Sequence, residues 1–155
     1  MEINNECELL QEIYRGAKMG DESIRLMLPK VDNARFRSDL QTQSRQYQTI
    51  ASNAEQQMKG MGQCPRELTG KEQTMLWMSL QGSTLCNKET SHLAEMMIQG
   101  SNMGIISLTK VLNTFGTSTQ NPAQADPAQN QAIGLARSAI QDEENNINRL
   151  KVYLQ

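Results

Sequence analysis

The chain has 155 residues and a mass of 17.4 kDa, which predicts one domain with a continuous core rather than two domains. Aromatic residues make up 4% of it, and it is rich in helix-favouring Met, Leu, Gln, Glu and Ala, so the composition predicts an all-α fold. The 15 Lys and Arg nearly balance the 17 Asp and Glu, so we expect neither nucleic acid nor an anionic membrane as a partner.

The sequence carries no signal for a membrane or for export. No apolar run reaches the roughly 20 residues that a spanning helix needs, and segment 1–10 is too acidic for a signal peptide. We therefore expect a cytoplasmic protein. The three cysteines (Cys7, Cys64 and Cys86) have no CxxC spacing, and their odd number favours reduced thiols, although a bridge between the first two stays open.

The first two predicted helices cover about 4–30 and 33–61. Pro29 and Asp32, a good N-cap residue, predict a tight reversal between them, which makes the helices antiparallel neighbours. Each helix has a heptad stripe of apolar residues with one polar member. The first stripe consists of Ile3, Cys7, Leu10, Tyr14, Ala17, Asp21, Ile24, Leu28 and Val31, and the second of Phe36, Leu40, Gln43, Tyr47, Ile50, Ala54, Met58 and Met61.

A shorter helix follows over about 70–82, opened by a capping-box pattern from Thr69 to Glu72. Asn87 is a further cap candidate and begins a third long helix over 87–115. The polar stretch 117–125 predicts an exposed loop. Asp126 and the proline after it open the last helix, over 127–154.

The short helix decides the topology of the four long helices, each about 40 Å long at 1.5 Å per residue. If it returns along the bundle, the second and third long helices run parallel, with one crossover. If it prolongs the third helix, an up-down bundle results. The break at Gly82 and Ser83, together with the cap at Asn87, favours the crossover.

The last helix also has an apolar stripe, made of Ala132, Ala136, Ala139, Ile140, Glu143, Ile147, Leu150 and Leu154. Three stripes are thus interrupted by a polar residue at a similar depth. Asp21 lies about ten residues before the first reversal, Gln43 about eleven after it, and Glu143 about eleven before the end of the chain. The third helix contributes Ser101 near that depth. The sequence therefore predicts a polar layer inside the bundle.

This pattern resembles the ferritin-like di-iron proteins, which carry a Glu on two helices and a Glu-x-x-His pair on the other two. The resemblance covers nearly the whole chain and implies a ferritin-like antiparallel four-helix bundle. This chain departs from the pattern: the pairs are replaced by Gln43 with Gln46 and by Glu143 with Asn146, and both histidines are missing. The first-helix carboxylate would be Asp21.

Two interpretations of the layer follow. Imidazole and carboxylate hold iron or manganese, whereas carboxamides are weak donors, so we expect a degenerate di-iron site without metal. Gln43, Gln46 and Asn146 would then hydrogen-bond the carboxylates of Asp21 and Glu143. The alternative is a site for iron or manganese made by Asp21, Glu143 and Glu95.

Small residues recur on two helices at i and i+4, as Gly16 with Gly20 and Gly100 with Gly104. They predict either a close approach of the first and third helices, which would narrow the space beside the layer, or ordinary small-residue packing. Trp77 either anchors the short helix to the bundle, which is the favoured interpretation, or belongs to a dimer patch.

Together with the resemblance, these patterns favour the hypothesis of a non-catalytic ferritin-like structural or interaction protein, related to spores or stress and acting as a homo-oligomer in a bacterial cytoplasm or spore. The overall pattern also resembles spore-coat proteins of Gram-positive bacteria. The single histidine, His92, leaves no Ser/His or Cys/His couple. The alternative hypothesis is a metal-dependent oxidase or a metal-storage protein.

Overall fold

The computed structural model describes residues 5–84, 87–118 and 127–155, and in those ranges it contains helices and no strand. The all-α prediction is therefore confirmed. Short 3-10 helices cover Leu28–Lys30 and Lys151–Tyr153. The α-helices are α1 (Asn5–Met27), α2 (Ala34–Gly60), α3 (Gly70–Thr84), α4 (Thr90–Ser118) and α5 (Pro127–Leu150).

The reversal between α1 and α2 uses the predicted proline, but the cap is one residue later than expected. Pro29 lies in the 3-10 helix, and the side chain of Asn33, rather than Asp32, accepts a hydrogen bond of 2.9 Å from the backbone N–H of Phe36. A cap residue bonds a backbone amide two or three positions later, so the residue before Ala34 has the suitable position.

The end of α2 and the start of α3 follow local backbone chemistry. Gly62 has a φ of +74°, the left-handed conformation that commonly ends a helix, and Gln63 N–H donates to the carbonyl of Met58 at 2.9 Å. Thr69 and Glu72 form the expected capping box: the Glu72 N–H donates to Thr69 Oγ1 at 3.1 Å, and the Thr69 N–H donates to Glu72 Oε2 at 2.9 Å.

The helix predicted over 87–115 begins at Thr90 and ends at Ser118. The Asn87 carboxamide accepts from the N–H of Glu89, which closes a turn just before the helix instead of capping its first residues. The polar loop predicted over 117–125 falls mostly on residues outside the described ranges, as does the predicted cap Asp126.

The four long helices pack side by side. α1 lies against α2 and α4, and α5 lies against the same two helices. At one end, Tyr153 donates to Asp39 of α2 at 2.5 Å and its ring centroid lies 5.0 Å from that of Phe36. The core is a continuous apolar cluster whose fully buried members include Leu10, Ile13, Ile24, Leu40 and Leu93.

α3 runs along α1, in the same direction. Near its start, Glu72 accepts from Arg15 Nε at 2.8 Å, and near its end Gln81 accepts from Lys30 Nζ at 2.7 Å. The chain thus returns to the end of the molecule at which α2 began. Since Thr90 follows only a few residues later, α2 and α4 run in the same direction.

Three large apolar side chains of α3 are exposed to solvent. Met75 is 61% exposed, Trp77 51% and Met78 61%, while the face toward α1 holds Leu76 and Leu80. Trp77 thus has about half of its surface in solvent, a position compatible with both interpretations of this residue. No helix in the described ranges combines the length and apolarity needed to cross a membrane.

Candidate functional site: a buried polar cluster between four helices

Five buried residues from three helices form what we call the core polar cluster. α2 contributes Gln43 and Tyr47, α4 contributes Ser101, and α5 contributes Glu143 and Asn146. Each is at most 7% exposed. Polar groups this deep require partners from the protein itself, because water cannot supply them.

Side-chain hydrogen bonds connect the cluster. Gln43 Nε2 donates to the Tyr47 hydroxyl at 2.9 Å, and Asn146 Nδ2 donates to Glu143 Oε1 at 3.3 Å. The Tyr47 oxygen accepts from Gln43, so its own proton is left to face the adjacent Glu143 carboxylate. The cluster therefore connects α2 to α5 through the centre of the molecule.

Two oxygens of the cluster are less well satisfied. Ser101 Oγ and Asn146 Oδ1 are buried and complete no hydrogen bond with the residues that the structure describes. The Ser101 hydroxyl nevertheless lies beside Glu143 and Tyr47 and acts on the pKa of both groups. The carboxylate thus lies among polar groups from α2, α4 and α5.

Burial controls the ionisation of the cluster. It raises the pKa of Glu143 above the ordinary carboxyl value, and the polar groups of Tyr47, Ser101 and Asn146 oppose that rise. Burial also raises the pKa of Tyr47 far above its usual range, and the negative charge of Glu143 adds to the effect. The tyrosine therefore remains a neutral donor.

A pH dependence follows from Glu143. The pKa of Glu143 is higher in the folded than in the unfolded protein. Between a pH of about 4.5, the ordinary carboxyl pKa, and the raised pKa, the folded state therefore binds more protons than the unfolded state. The free energy of unfolding consequently falls as the pH rises through that range. Glu143→Gln removes this titration. Urea unfolding of both proteins from about pH 4 to about pH 7 should show the variant gaining stability relative to wild type as the pH rises.

Glu144→Gln is the matched control, because Glu144 is the exposed neighbour on the same helix. It removes a carboxylate from the same helix without entering the core polar cluster, so a pH profile that diverges from wild type equally in both variants would not be due to the burial of Glu143. A Glu143→Gln profile parallel to that of wild type would contradict the assigned role of burial.

Asp21 lies outside the core polar cluster. It is half-buried between α1 and α2, where Ser44 Oγ donates to it and Gln48 Nε2 lies 3.4 Å from both of its oxygens. The expected layer therefore holds Gln43 and Glu143 but not Asp21. The reason lies in α1, where Gly20 rather than Asp21 faces the ring of Tyr47.

Gln46 also lies outside the cluster. It is half-buried on the groove between α2 and α5, a space of about 340 Å³ that Asp142 also lines, and no hydrogen bond joins it to Asp21 or Glu143. Its Oε1 is buried without a partner in the described part of the chain. Of the three carboxamides expected to satisfy the carboxylates, Asn146 bonds Glu143 directly and Gln43 acts through Tyr47.

The four glycines of the predicted close approach behave differently from one another. Gly16 and Gly100 are exposed, and a Cβ added at either would meet nothing within 4 Å, so the expected narrowing is not seen there. A Cβ on Gly20 would lie 2.7 Å from the ring of Tyr47, and one on Gly104 would lie 3.6 Å from Glu143 Oε2. Only Gly20 is required by a neighbouring side chain.

The alternative metal ligands are not brought together. Glu95 is exposed on α4 and lies 3.5 Å from Gln99 Nε2, while Asp21 is bonded by α2. Among the residues that the structure describes, no group of three His, Cys, Asp or Glu side chains could hold a metal ion.

Sequence reasoning missed Tyr47 as a member of the site. It stands in the apolar stripe of α2, where an aromatic residue is usually read as core packing. The signal that could have found it was Gly20, because a glycine inside a helix often marks a side chain that needs its space. No family model, curated protein or solved structure matches the chain.

Proposed function

We propose that this chain is a non-catalytic ferritin-like helical bundle of a bacterial cytoplasm or spore, and that it acts through protein–protein contact as a homo-oligomer. The observation that carries this proposal is the exposed apolar surface of α3, formed by Met75, Trp77 and Met78. Large apolar side chains gathered on one short helix are typical of a surface that a partner covers.

The geometry of α3 suits such a contact. At 3.6 residues per turn, Met78 lies opposite the face that contacts α1, and Met75 and Trp77 lie on the two flanks of the helix to either side of it. A second copy that covers α3 from outside would bury both flanks at once. Met and Trp are adaptable, amphipathic anchors at interfaces.

The ferritin-like part of the proposal is supported by the path of the chain. α3 returns along α1, so α2 and α4 are parallel, while α1 and α2 are antiparallel neighbours. This is the connectivity of a bundle with one long crossover. The buried Gln43, Glu143 and Asn146 lie on the helices that carry ligands in the family pattern, which supports a degenerate di-iron site.

The donor set of the core polar cluster does not fit iron or manganese. It offers one carboxylate, Glu143, with carboxamide and hydroxyl oxygens, and no imidazole. The ring of Tyr47 also fills the space beside Gly20, which a metal-ligating side chain from α1 would need to occupy.

The test is the oligomeric state in solution, measured by light scattering behind size exclusion. We expect wild type to be a dimer or larger at micromolar concentration, and the triple variant Met75→Gln, Trp77→Gln, Met78→Gln to be a folded monomer. Val152→Gln is the matched control, because Val152 is an exposed apolar residue outside α3. A monomeric wild type, or a triple variant with unchanged mass, would contradict the proposal.

Elemental analysis of protein purified without chelator separates this proposal from the metal-binding alternative. Near-stoichiometric iron or manganese that is lost in Glu143→Gln would favour a metal oxidase or storage protein. Background metal in both proteins would favour the interaction role.

A further inference from the structure

Two cysteines lie at the end of the bundle where α1 begins and α2 ends. Cys7 is on the first turn of α1 and is half-buried, and Cys64 is exposed in segment 63–69, which joins α2 to α3. Both thiols are free. Neither residue belongs to the core polar cluster or to the α3 surface.

Hydrogen bonds set the register between this segment and α1. The Gln11 carboxamide bonds Arg66 twice, with Nε2 donating to the Arg66 carbonyl at 3.0 Å and Oε1 accepting from the Arg66 N–H at 2.7 Å. One step further, the Tyr14 hydroxyl donates to the Glu67 carboxylate. The segment therefore runs along α1 in the same direction as the helix.

If the same register is extended toward the start of α1, Cys7 and Cys64 lie at a similar height along the helix axis. Cys7, Gln11 and Tyr14 occupy positions i, i+4 and i+7 of one helix face, so Cys7 lies about 6 Å along the axis from Gln11. Two residues of extended chain, from Arg66 back to Cys64, cover up to about 7 Å. Cys7 and Cys64 are thus placed at a similar height along α1, on the side of the helix that segment 63–69 follows.

We propose that Cys7 and Cys64 are a redox-reactive pair that closes to an intramolecular disulfide by exchange with a small-molecule disulfide such as oxidised glutathione. The bridge would fasten segment 63–69 to α1 beside the bonds made by Gln11 and Tyr14.

The exchange has two balanced steps. The Cys64 thiolate, formed by loss of its proton to solvent, attacks one sulfur of glutathione disulfide and expels one glutathione thiolate, which leaves a mixed disulfide on Cys64. The Cys7 thiol loses its proton and attacks Cys64 Sγ, expelling the second glutathione. Two protein thiols are oxidised and one glutathione disulfide is reduced to two thiols.

The environments of the two thiols assign this order. Cys64 is exposed, so the small disulfide can reach it. Burial raises the pKa of Cys7, and the negative charge of Glu6 adds to the effect, so Cys7 reacts more slowly with solution reagents. Cys7 is therefore the resolving thiol, which acts once Cys64 has brought the mixed disulfide to it.

Tryptic mapping without reduction tests the pairing in the full chain. Trypsin releases Cys7 in peptide 1–15, Cys64 in peptide 60–66 and Cys86 in peptide 72–88. After treatment with oxidised glutathione, we expect peptide 1–15 joined to peptide 60–66. The oxidised protein should melt higher by roughly 5 °C or more, because the bridge restricts the unfolded chain, and dithiothreitol should reverse the shift.

Single substitutions separate the pair from other thiol chemistry. Cys86→Ser should keep the joined peptides and the melting shift, whereas Cys64→Ser should lose both. Cys7→Ser should stop at a glutathione adduct on Cys64. The proposal is overturned if wild type gives only glutathione adducts, a pair that includes peptide 72–88, or joined peptides with no rise in melting temperature.

Discussion

Replacing Tyr47 with alanine is expected to lower the free energy of unfolding by about 3–5 kcal/mol, the range for deleting a buried aromatic ring. The ring is 6% exposed, it fills the space beside Gly20, and its hydroxyl joins Gln43 to Glu143. Removing it leaves a cavity and takes away the partner of two buried polar groups. Urea unfolding followed by circular dichroism measures the loss.

Tyr47→Phe divides this effect between ring and hydroxyl. It keeps the ring and removes only the group that accepts from Gln43, so we expect a loss of about 1–3 kcal/mol. If Tyr47→Ala were no more destabilising than Tyr47→Phe, the ring would not fill the cross-section.

The second large effect is expected at Gly20. In Gly20→Ala the added Cβ would lie 2.7 Å from two carbons of the Tyr47 ring, at the end nearest the bonded hydroxyl, so the ring cannot move without disturbing Gln43 and Glu143. We expect a loss of about 1–3 kcal/mol, as for other overpacked cores.

Gly16→Ala is the matched control on the same helix. A Cβ there meets nothing within 4 Å, so the higher helix propensity of alanine should stabilise the protein by about 0.5–1 kcal/mol. In a Tyr47→Ala background, Gly20→Ala should also become stabilising, because the obstructing ring is gone. Equal effects of Gly20→Ala with and without Tyr47 would show that the two residues do not meet.

These two variants also bear on the proposed function. Tyr47 fills the centre of the bundle, and hydrogen bonds of Gln43, Glu143 and Asn146 connect its helices there. If both variants destabilise the protein as expected, these core residues stabilise the fold. Contact with other chains would then fall to the outer surface, where the apolar residues of α3 lie.

The sequence predicted the helical elements well where local chemistry ends or begins them. Thr69 with Glu72 opens α3, and the left-handed Gly62 follows the end of α2. Helix caps and left-handed glycines can be predicted because they depend on only a few neighbouring residues. The start of α4 was less accurate, because Asn87 closes a turn as readily as it caps a helix.

The apolar stripes likewise predicted most of the core, including Phe36, Leu40 and Ile24. They also predicted that Gln43 and Glu143 lie inside. A stripe records which face of a helix is buried, so it is informative for residues near the centre of that face.

Residues at the edge of a stripe were decided only by the tertiary structure. An α-helix turns 100° per residue, which places Asp21 nearer than Gly20 to the edge of the buried face of α1, and in the structure Gly20 lies against the ring of Tyr47 on α2 while Asp21 is bonded by Ser44. In the same way, the composition of α3 gave it apolar residues, but only its packing along α1 left Met75, Trp77 and Met78 in solvent. Helix formation depends on neighbours in the chain, whereas the choice between adjacent positions depends on a side chain from another helix.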